Sequence, residues 1–435
     1  MNIIKIIEKK RDGKKLAKGE IEFFVDGYTH GSTVLDYQAS ALLMAIFLNG
    51  MDDEELGYLT AAMINTGDVL DFSKESGVFV DKHSTGGVGD KTSLVLGPIL
   101  AACGLKLAKM SGRGLGFTGG TLDKMEAIPN MRVEIDESAF FKQVREIGIA
   151  IVGQSKNMVP ADKKFYALRD VTGTVESIPL MASSIMSKKL AAGAEIILLD
   201  VKFGDGAFMK DLESATELAT RMIAIGEKLG KKVFAEITSM QDVLGRMVGN
   251  ALEIKEVIDS LKGNFEPDFK ELCLHSAATL LKAGGIVKTD DEANAMFEQV
   301  IADGSALKKL GEMIHAQGGD NRVTSDESLL SISKNVVDVT ADSDGYISYV
   351  HTMDVGILSA EMGAGRLTLD DKIDYSVGIE VLKKLGDEVR KGDVICKLYH
   401  NSAPEKVAEF VAKAKKSFVI SAEHVKKPPL IAKTL

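Results

Sequence analysis

Apolar residues recur at helical spacing through the first part of the chain. Ile3, Ile4, Ile6 and Ile7 form one stripe and Ile21, Phe23, Phe24 and Val25 a second; Ala39 to Phe47 and Leu56 to Ile64 add two more, with glycine-containing breaks between. The pattern predicts a helical block over residues 1–67. It shows no chemistry of its own, so packing and subunit contact are the roles it suggests. From about residue 70 the texture changes to short apolar runs alternating with helical ones: Val78–Val80, Leu105–Leu107, Ile149–Val152, Glu195–Val201 and Lys232–Ile237. That alternation predicts an α/β domain with a mostly parallel sheet covered by helices, in two segments, 70–155 and 195–330. Between them, residues 160–193 read as two more helices, PADKKFYALRD and IPLMASSIMSKKLAAG, which are expected to join the first block in space. The small all-helical domain would then be discontinuous.

A third texture begins after about residue 330. Alternating β-branched residues and Gly-Asp turns predict a C-terminal module over 335–435, β-rich with some helix. Its run GDEVRKGDVICKLY is similar to the half-barrel of biotinyl and lipoyl carrier domains. A carrier needs a modifiable lysine in a Met-Lys-Met or Asp-Lys-Ala setting, and neither occurs, so the module is read as structural.

Composition narrows the classes. With 435 residues, 45% hydrophobic and 27% charged, the chain has the make-up of a soluble globular protein of two or three domains. A formal net charge of −10 argues against a nucleic-acid partner or an anionic membrane surface. Cys103, Cys273 and Cys396 lie far apart, with no CxxC pair or Cys/His cluster to suggest zinc or a disulfide framework. The N-terminal stretch is too short and too charged for a signal peptide, and no run of about 18 apolar residues offers a membrane span. A cytoplasmic protein is expected.

The chemistry concentrates between Val80 and Glu126. Two glycine-rich turns stand here, each entered from a strand-like run and left through a helix-like one, so that two sets of backbone N–H groups can face one anion. Lys82, His83, Ser84, Thr85, Ser93, Lys109, Ser111, Arg113 and Thr121 surround them, a supply of cationic and hydroxyl donors suited to phosphate oxygens. One such turn is more often a tight connection than a ligand site; two rich in Ser, Thr and Lys point to a phosphate site. Neither is a Walker loop or a dinucleotide fingerprint. Further on, Ser184 and Lys188 are four apart and share a helix face, with Arg169 at the end of the preceding helical segment.

Taken together, the stretches SGRGLGFTGGTLDKME at 111–126, DKHSTGGVGD at 81–90, FYALRDVTGTVESIP at 165–179, DVKFGDGAFM at 200–209 and GAGR at 363–366 resemble the thymidine and pyrimidine-nucleoside phosphorylase family, in the family's order and over essentially the whole chain. The resemblance implies a pentosyltransferase, usually a homodimer, that cleaves pyrimidine nucleosides such as uridine, thymidine and deoxyuridine with inorganic phosphate and no organic cofactor. Matched by position, Lys82, His83, Ser84, Ser93, Lys109, Met110, Ser111 and Thr121 would bind phosphate. Arg169, Ser184, Lys188, Tyr166, Leu115, Met181 and Phe208 would bind or wall the base, with His83, Arg169 and Lys188 as the catalytic groups. The family also carries a potassium or calcium ion built largely from backbone carbonyls, which falls here at Gly89, Lys91, Leu244, Met247 and Glu256. Lys91 would offer only its carbonyl, and its side chain brings a cation nearby.

Two positions bear on substrate range. Phe117 stands inside the signature where the family usually has His, so any proton-transfer or gating role of that side chain is absent. Lys109 stands where strict thymidine enzymes tend to carry Met, which favours the broader pyrimidine-nucleoside enzyme over a strict thymidine phosphorylase. Two rivals stand further off. An anthranilate-type phosphoribosyltransferase shares this architecture but needs an acidic pair for magnesium, for which no match follows the second loop; a non-catalytic nucleoside-binding regulator would have no need of the retained Lys82, His83, Arg169, Ser184 and Lys188.

Overall fold

The computed structural model describes residues 1–31, 33–114, 116–155, 157–366 and 371–435. Four helices open it: α1 (Ile3–Arg11), α2 (Lys18–Thr29), α3 (Asp36–Asn49) and α4 (Asp53–Ile64). Local sequence starts them cleanly. Asn2 Oδ1 accepts from the Ile4 N–H, and Asp52 and Glu55 form a reciprocal capping box at the head of α4.

The large domain follows as β1 (Phe79–Ser84), α5 (Thr92–Ala102), β2 (Lys106–Ser111), α6 (Thr121–Glu126), α7 (Glu137–Ile147) and β3 (Ile149–Gly153). The chain then returns to the helical side for α8 (Pro160–Asp170) and α9 (Ile178–Ala191) before completing the sheet with β4 (Ile196–Phe203), α10 (Leu212–Lys228) and β5 (Lys232–Ser239). A short β6 (Met247–Val248) and α11 (Asn250–Leu261) lead into further helices up to Ala316.

β1 to β5 are parallel, in the order β5-β4-β1-β2-β3. The chain leaves β1 toward β2 and β3 and comes back on its other side at β4. The topological switch therefore lies between β1 and β4, where loops part at the carboxyl ends of the strands and leave a crevice. One sheet face packs on α5 and the helices after α11; the other, through Phe79, Ala108, Ala150 and Val152, packs on the helical domain. There Phe24, Tyr28 and Phe165 stack, with Phe24 and Phe165 ring centroids 5.2 Å apart, and so join α8 to α2. The second helical segment thus shares a core with the first.

Three chain crossings join the two parts, side by side. The Asp68 N–H donates to the Asn157 carbonyl at 3.0 Å and the Leu70 N–H to the Ala191 carbonyl at 2.8 Å. Backbone runs so close that a Cβ at Gly67 would lie 2.0 Å from the Asn157 oxygen, which only glycine allows.

Among the described residues, the C-terminal module holds two small antiparallel sheets, one of three strands and one of four. Its boundaries are less self-contained than the sequence pattern indicates. β6 supplies one edge of the four-stranded sheet by pairing with Gly378–Val381, and Ile431–Thr434 leave the module to pair antiparallel with β5.

Candidate active site

Strand β1 sets the geometry. It runs four residues beyond its apolar stretch, and alternation sends Asp81 to the face packed on the helical domain and Lys82 to the opposite face. Lys82 Nζ lies 2.7 Å from Asp200 Oδ2, fully buried, in a row of charges that also includes Lys202, Asp90 and Glu236. Within that row Asp90 is held well below the usual carboxylate range, because Lys202, Lys82 and Lys124 outweigh the opposing cost of burial. Burial and the neighbouring Asp200 push Glu236 up to about 8. Lys82 is not part of the crevice lining, and its ammonium is paired with Asp200.

The crevice is a cavity of about 340 Å³ at the carboxyl ends of the strands. The end of β1 contributes His83 and Ser84, the loop after it Gly86 and Gly87, and the first turn of α5 Ser93. Strand β2 brings Lys109, Met110 and Ser111; Gly120 comes from the second glycine loop and Thr121 from the start of α6, Lys188 from α9 and Phe208 from the loop after β4. Of the residues expected around phosphate, all but Lys82 line it.

Each loop is held by its own hydrogen bonds. Ser84 Oγ accepts from the Gly86 N–H at 3.1 Å, and Gly86 has φ +94. In the second loop Asp123 Oδ2 accepts from the Gly114 N–H at 2.6 Å, while Arg113 is committed to Glu126 at 2.6 Å and to Asp123 at 3.1 Å. A Cβ at Gly120 would stand 2.1 Å from the Gly114 nitrogen, so the two strands of that loop touch only because both residues are glycine.

The cavity is cationic. Lys109 is buried, donates to the Lys82 carbonyl oxygen and lies 3.5 Å from Asp81. Burial, then the nearby Lys189, lowers its pKa to about 7. Lys189, also in the lining, binds Asp81 Oδ2 at 2.8 Å and the Met110 carbonyl at 3.0 Å. Sequence reasoning passed over Lys189 in favour of its neighbour. The signal was Asp81: a carboxylate inside a buried strand needs a cationic partner. His83 is held well below the ordinary histidine range by burial and then by Lys189, Lys109 and Lys188. It is therefore a neutral imidazole at neutral pH, and its Nε2 has no hydrogen-bond partner among the described residues.

The groups expected on the base divide into two places. Lys188 faces the main cavity, 2.6 Å from Asp162 Oδ2 and 3.2 Å from Ser184 Oγ. Arg169 and Ser184 line a separate pocket of only about 10 Å³ behind it. The Arg169 guanidinium is occupied by the carbonyls of Thr174 at 3.1 Å, Val175 at 2.5 Å and Leu180 at 3.2 Å, which hold the turn between α8 and α9. Tyr166 lines neither cavity, Met181 packs toward the α10 core, and Leu115 lies outside the described residues.

The five residues expected around an ion do converge, but on a nitrogen. Lys91 Nζ is within hydrogen-bond reach of the carbonyl oxygens of Gly89, Leu244 and Met247 and of Glu256 Oε2. A metal ion does not fit where the ammonium already sits, which corrects the expectation of potassium or calcium at these residues.

Residues 76–307 match the glycosyl transferase family a/b domain, residues 4–67 the helical bundle domain of that family, and residues 346–421 the pyrimidine nucleoside phosphorylase C-terminal domain. The chain is 50% identical over 431 residues to a pyrimidine-nucleoside phosphorylase of Geobacillus stearothermophilus, covering 99% of each. It is also 50% identical over 435 residues to one of Staphylococcus haemolyticus (strain JCSC1435), covering 100% of each. The chain belongs to the pyrimidine-nucleoside phosphorylase family.

Members of this family are pentosyltransferases, and the protein is an enzyme of that class. Phosphorylases take phosphate as co-substrate, and no organic cofactor is implied. Among solved structures, anthranilate phosphoribosyltransferase from Thermus thermophilus superposes with a TM-score of 0.59 at 19% identity, over 73% of this chain and 100% of that one. That likeness concerns the fold alone. Among the described residues, no helix is long and apolar enough to cross a membrane.

Proposed function

We propose that this enzyme is a pyrimidine-nucleoside phosphorylase, converting uridine, thymidine and deoxyuridine reversibly to free base and (deoxy)ribose 1-phosphate. The observation that carries the reading is 50% identity along the full length to enzymes of that name, combined with one cationic cavity that joins two glycine loops to His83 and Lys188. Phosphate would sit among Ser84, Ser93, Lys109, Ser111 and Thr121, at the N-terminal end of α5, where backbone N–H groups and the helix dipole favour an anion.

In the reaction a phosphate oxygen forms a bond to C1′ while the C1′–N bond breaks and its electron pair leaves with the base. Phosphate is a weak nucleophile and the departing base is anionic, so the transition state holds a cationic sugar between two anions. Catalysis then needs a fixed phosphate, donors on the base and exclusion of water. His83, neutral and with a free ring nitrogen, suits donation to a base carbonyl once its tautomer carries the proton at Nε2; Lys188 supplies the fixed cation. Each such donor is worth roughly 3 kcal/mol of barrier.

Arg169 and Ser184 lie behind Lys188 in their small pocket, so recruiting them to the base calls for rearrangement of the α8–α9 turn. We propose that the helical domain closes about its three crossings when both substrates bind, and small-angle scattering with phosphate and a nucleoside analogue would report a more compact particle. Exposed apolar side chains on α3, Tyr37 and Leu48 among them, support a homodimer, which light scattering would read as twice the 46.7 kDa chain mass. The cytoplasm is the proposed compartment.

The deciding experiment is ultraviolet-monitored release of base from uridine and from thymidine, each with and without phosphate. Phosphate-dependent cleavage of both is expected. Cleavage of thymidine alone would assign the strict enzyme and remove Lys109 as a mark of breadth; no phosphate-dependent cleavage would overturn the reading.

A further inference from the structure

Lys91 is fully buried at the head of α5, and its ammonium is surrounded by acceptors. Nζ lies 2.9 Å from the Gly89 oxygen, 2.9 Å from the Leu244 oxygen, 3.2 Å from the Met247 oxygen and 2.5 Å from Glu256 Oε2, with the Phe269 ring centroid 5.2 Å away. Three carbonyls and one carboxylate make an all-oxygen set, the kind that holds a hard cation. The cage is built for positive charge. Glu256 is fixed by the N–H groups of Arg246 at 2.8 Å and Met247 at 2.9 Å, which leaves its remaining lone pairs turned inward. Gly245 closes one wall: a Cβ there would stand 2.4 Å from Glu256 Oε1 and 2.8 Å from Lys91 Nζ.

We infer that the Lys91 ammonium is a tethered replacement for a bound cation, so that this protein takes no ion at this place and holds its phosphate loop independently of the salt around it. A second positive charge cannot enter the cage, because every acceptor is already engaged and the newcomer would lie against the ammonium in a buried site. The position matters for function. Gly89 and Lys91 end the loop that follows Ser84 and brings Gly86 and Gly87 to the cavity, while Leu244 precedes β6 and Met247 begins it, just ahead of α11. Lys91 ties these two stretches together. It is a positioning residue that touches no substrate, and a covalently attached cation cannot dissociate as a bound ion can.

The test is thermal melting of the full-length protein in tetramethylammonium, potassium and calcium chlorides at matched ionic strength, a readout that requires no activity and so stands apart from the proposed function. The parent is expected to melt at the same temperature in all three. Lys91→Ala is expected to melt lower in tetramethylammonium and to regain about 3 °C or more in potassium or calcium. Adding Glu256→Gln to Lys91→Ala should weaken that rescue. In a phosphorolysis assay the KM for phosphate of Lys91→Ala should follow the same salt dependence while the parent's stays flat. A variant that folds only when potassium or calcium is present supports the inference equally. Potassium- or calcium-dependent melting of the parent would overturn it, and so would a loss in Lys91→Ala that is the same in every salt.

Discussion

Lys189 on α9 reaches across from the helical domain to pair with Asp81 on β1, Nζ to Oδ2 2.8 Å, with both side chains buried. Lys109 lies 3.5 Å from the other oxygen of the same carboxylate, so one anion serves two cations at the base of the cavity. Replacing Asp81 by Asn is therefore expected to cost about 3–5 kcal/mol, the usual loss when a buried charge is left without its partner. Urea denaturation of the parent and Asp81→Asn measures it. A loss below about 1 kcal/mol would mean that the two lysines find other acceptors.

Lys188 is in a different position, since its side chain is 30% exposed and it faces the cavity. Lys188→Met should lower kcat about a hundredfold by removing a donor from the departing base, with little change in KM for phosphate. Steady-state kinetics in both substrates separates the two quantities. A rise in KM for phosphate with kcat preserved would move Lys188 to the anion side of the site.

The Lys109 shift makes a pH prediction with a definite sign. Its folded pKa, about 7, lies below the unfolded value of about 10.4, so between the two the unfolded chain binds more protons and stability contributed by this group rises with pH. A bound phosphate favours the charged lysine and draws a proton back. At about pH 8, phosphate binding should thus take up a proton, read by calorimetry in buffers of different ionisation enthalpy. Lys109→Arg, permanently charged, should bind phosphate with no uptake from this residue; unchanged uptake in that variant would assign the proton elsewhere.

Arg169 uses its fork on three backbone carbonyls, a geometry that a lysine cannot copy. Arg169→Lys should cost about 2–3 kcal/mol in a denaturant titration, and the KM for nucleoside should rise as the α8–α9 turn loosens. Full stability together with lost turnover would instead mean that Arg169 meets the base directly.

How far the sequence reached depended on where its patterns stop. The four opening helices, the five parallel strands and the return of 160–193 to the helical domain follow from apolar spacing, because each element buries one continuous stripe. The glycine loops were legible because there are two of them, each rich in Ser, Thr and Lys between a strand pattern and a helix pattern, and they meet at one crevice. Lys82 escaped because the apolar run in β1 ends at Val80 while the strand continues to Ser84, and strand parity decides which side chains reach the crevice. Arg169 escaped because its partners are carbonyl groups, which leave no trace in residue types. The Lys91 cage was half visible: its members were in view, but spacing alone cannot say whether a lysine offers its carbonyl or its ammonium.

Ile431–Thr434 cover the outer edge of β5, with the Ala235 and Leu435 backbones exchanging hydrogen bonds at 2.8 and 2.9 Å. Those residues follow the rest of the C-terminal module in the chain, so the β5 edge of the large sheet stays open until everything before them has been made. During that interval β5 presents unpaired N–H and C=O groups flanked by apolar side chains, the template on which strands of separate molecules add to one another. The last strand is in this sense a guard against aggregation, and removing it would expose a self-association hazard while leaving every residue of the cavity in place.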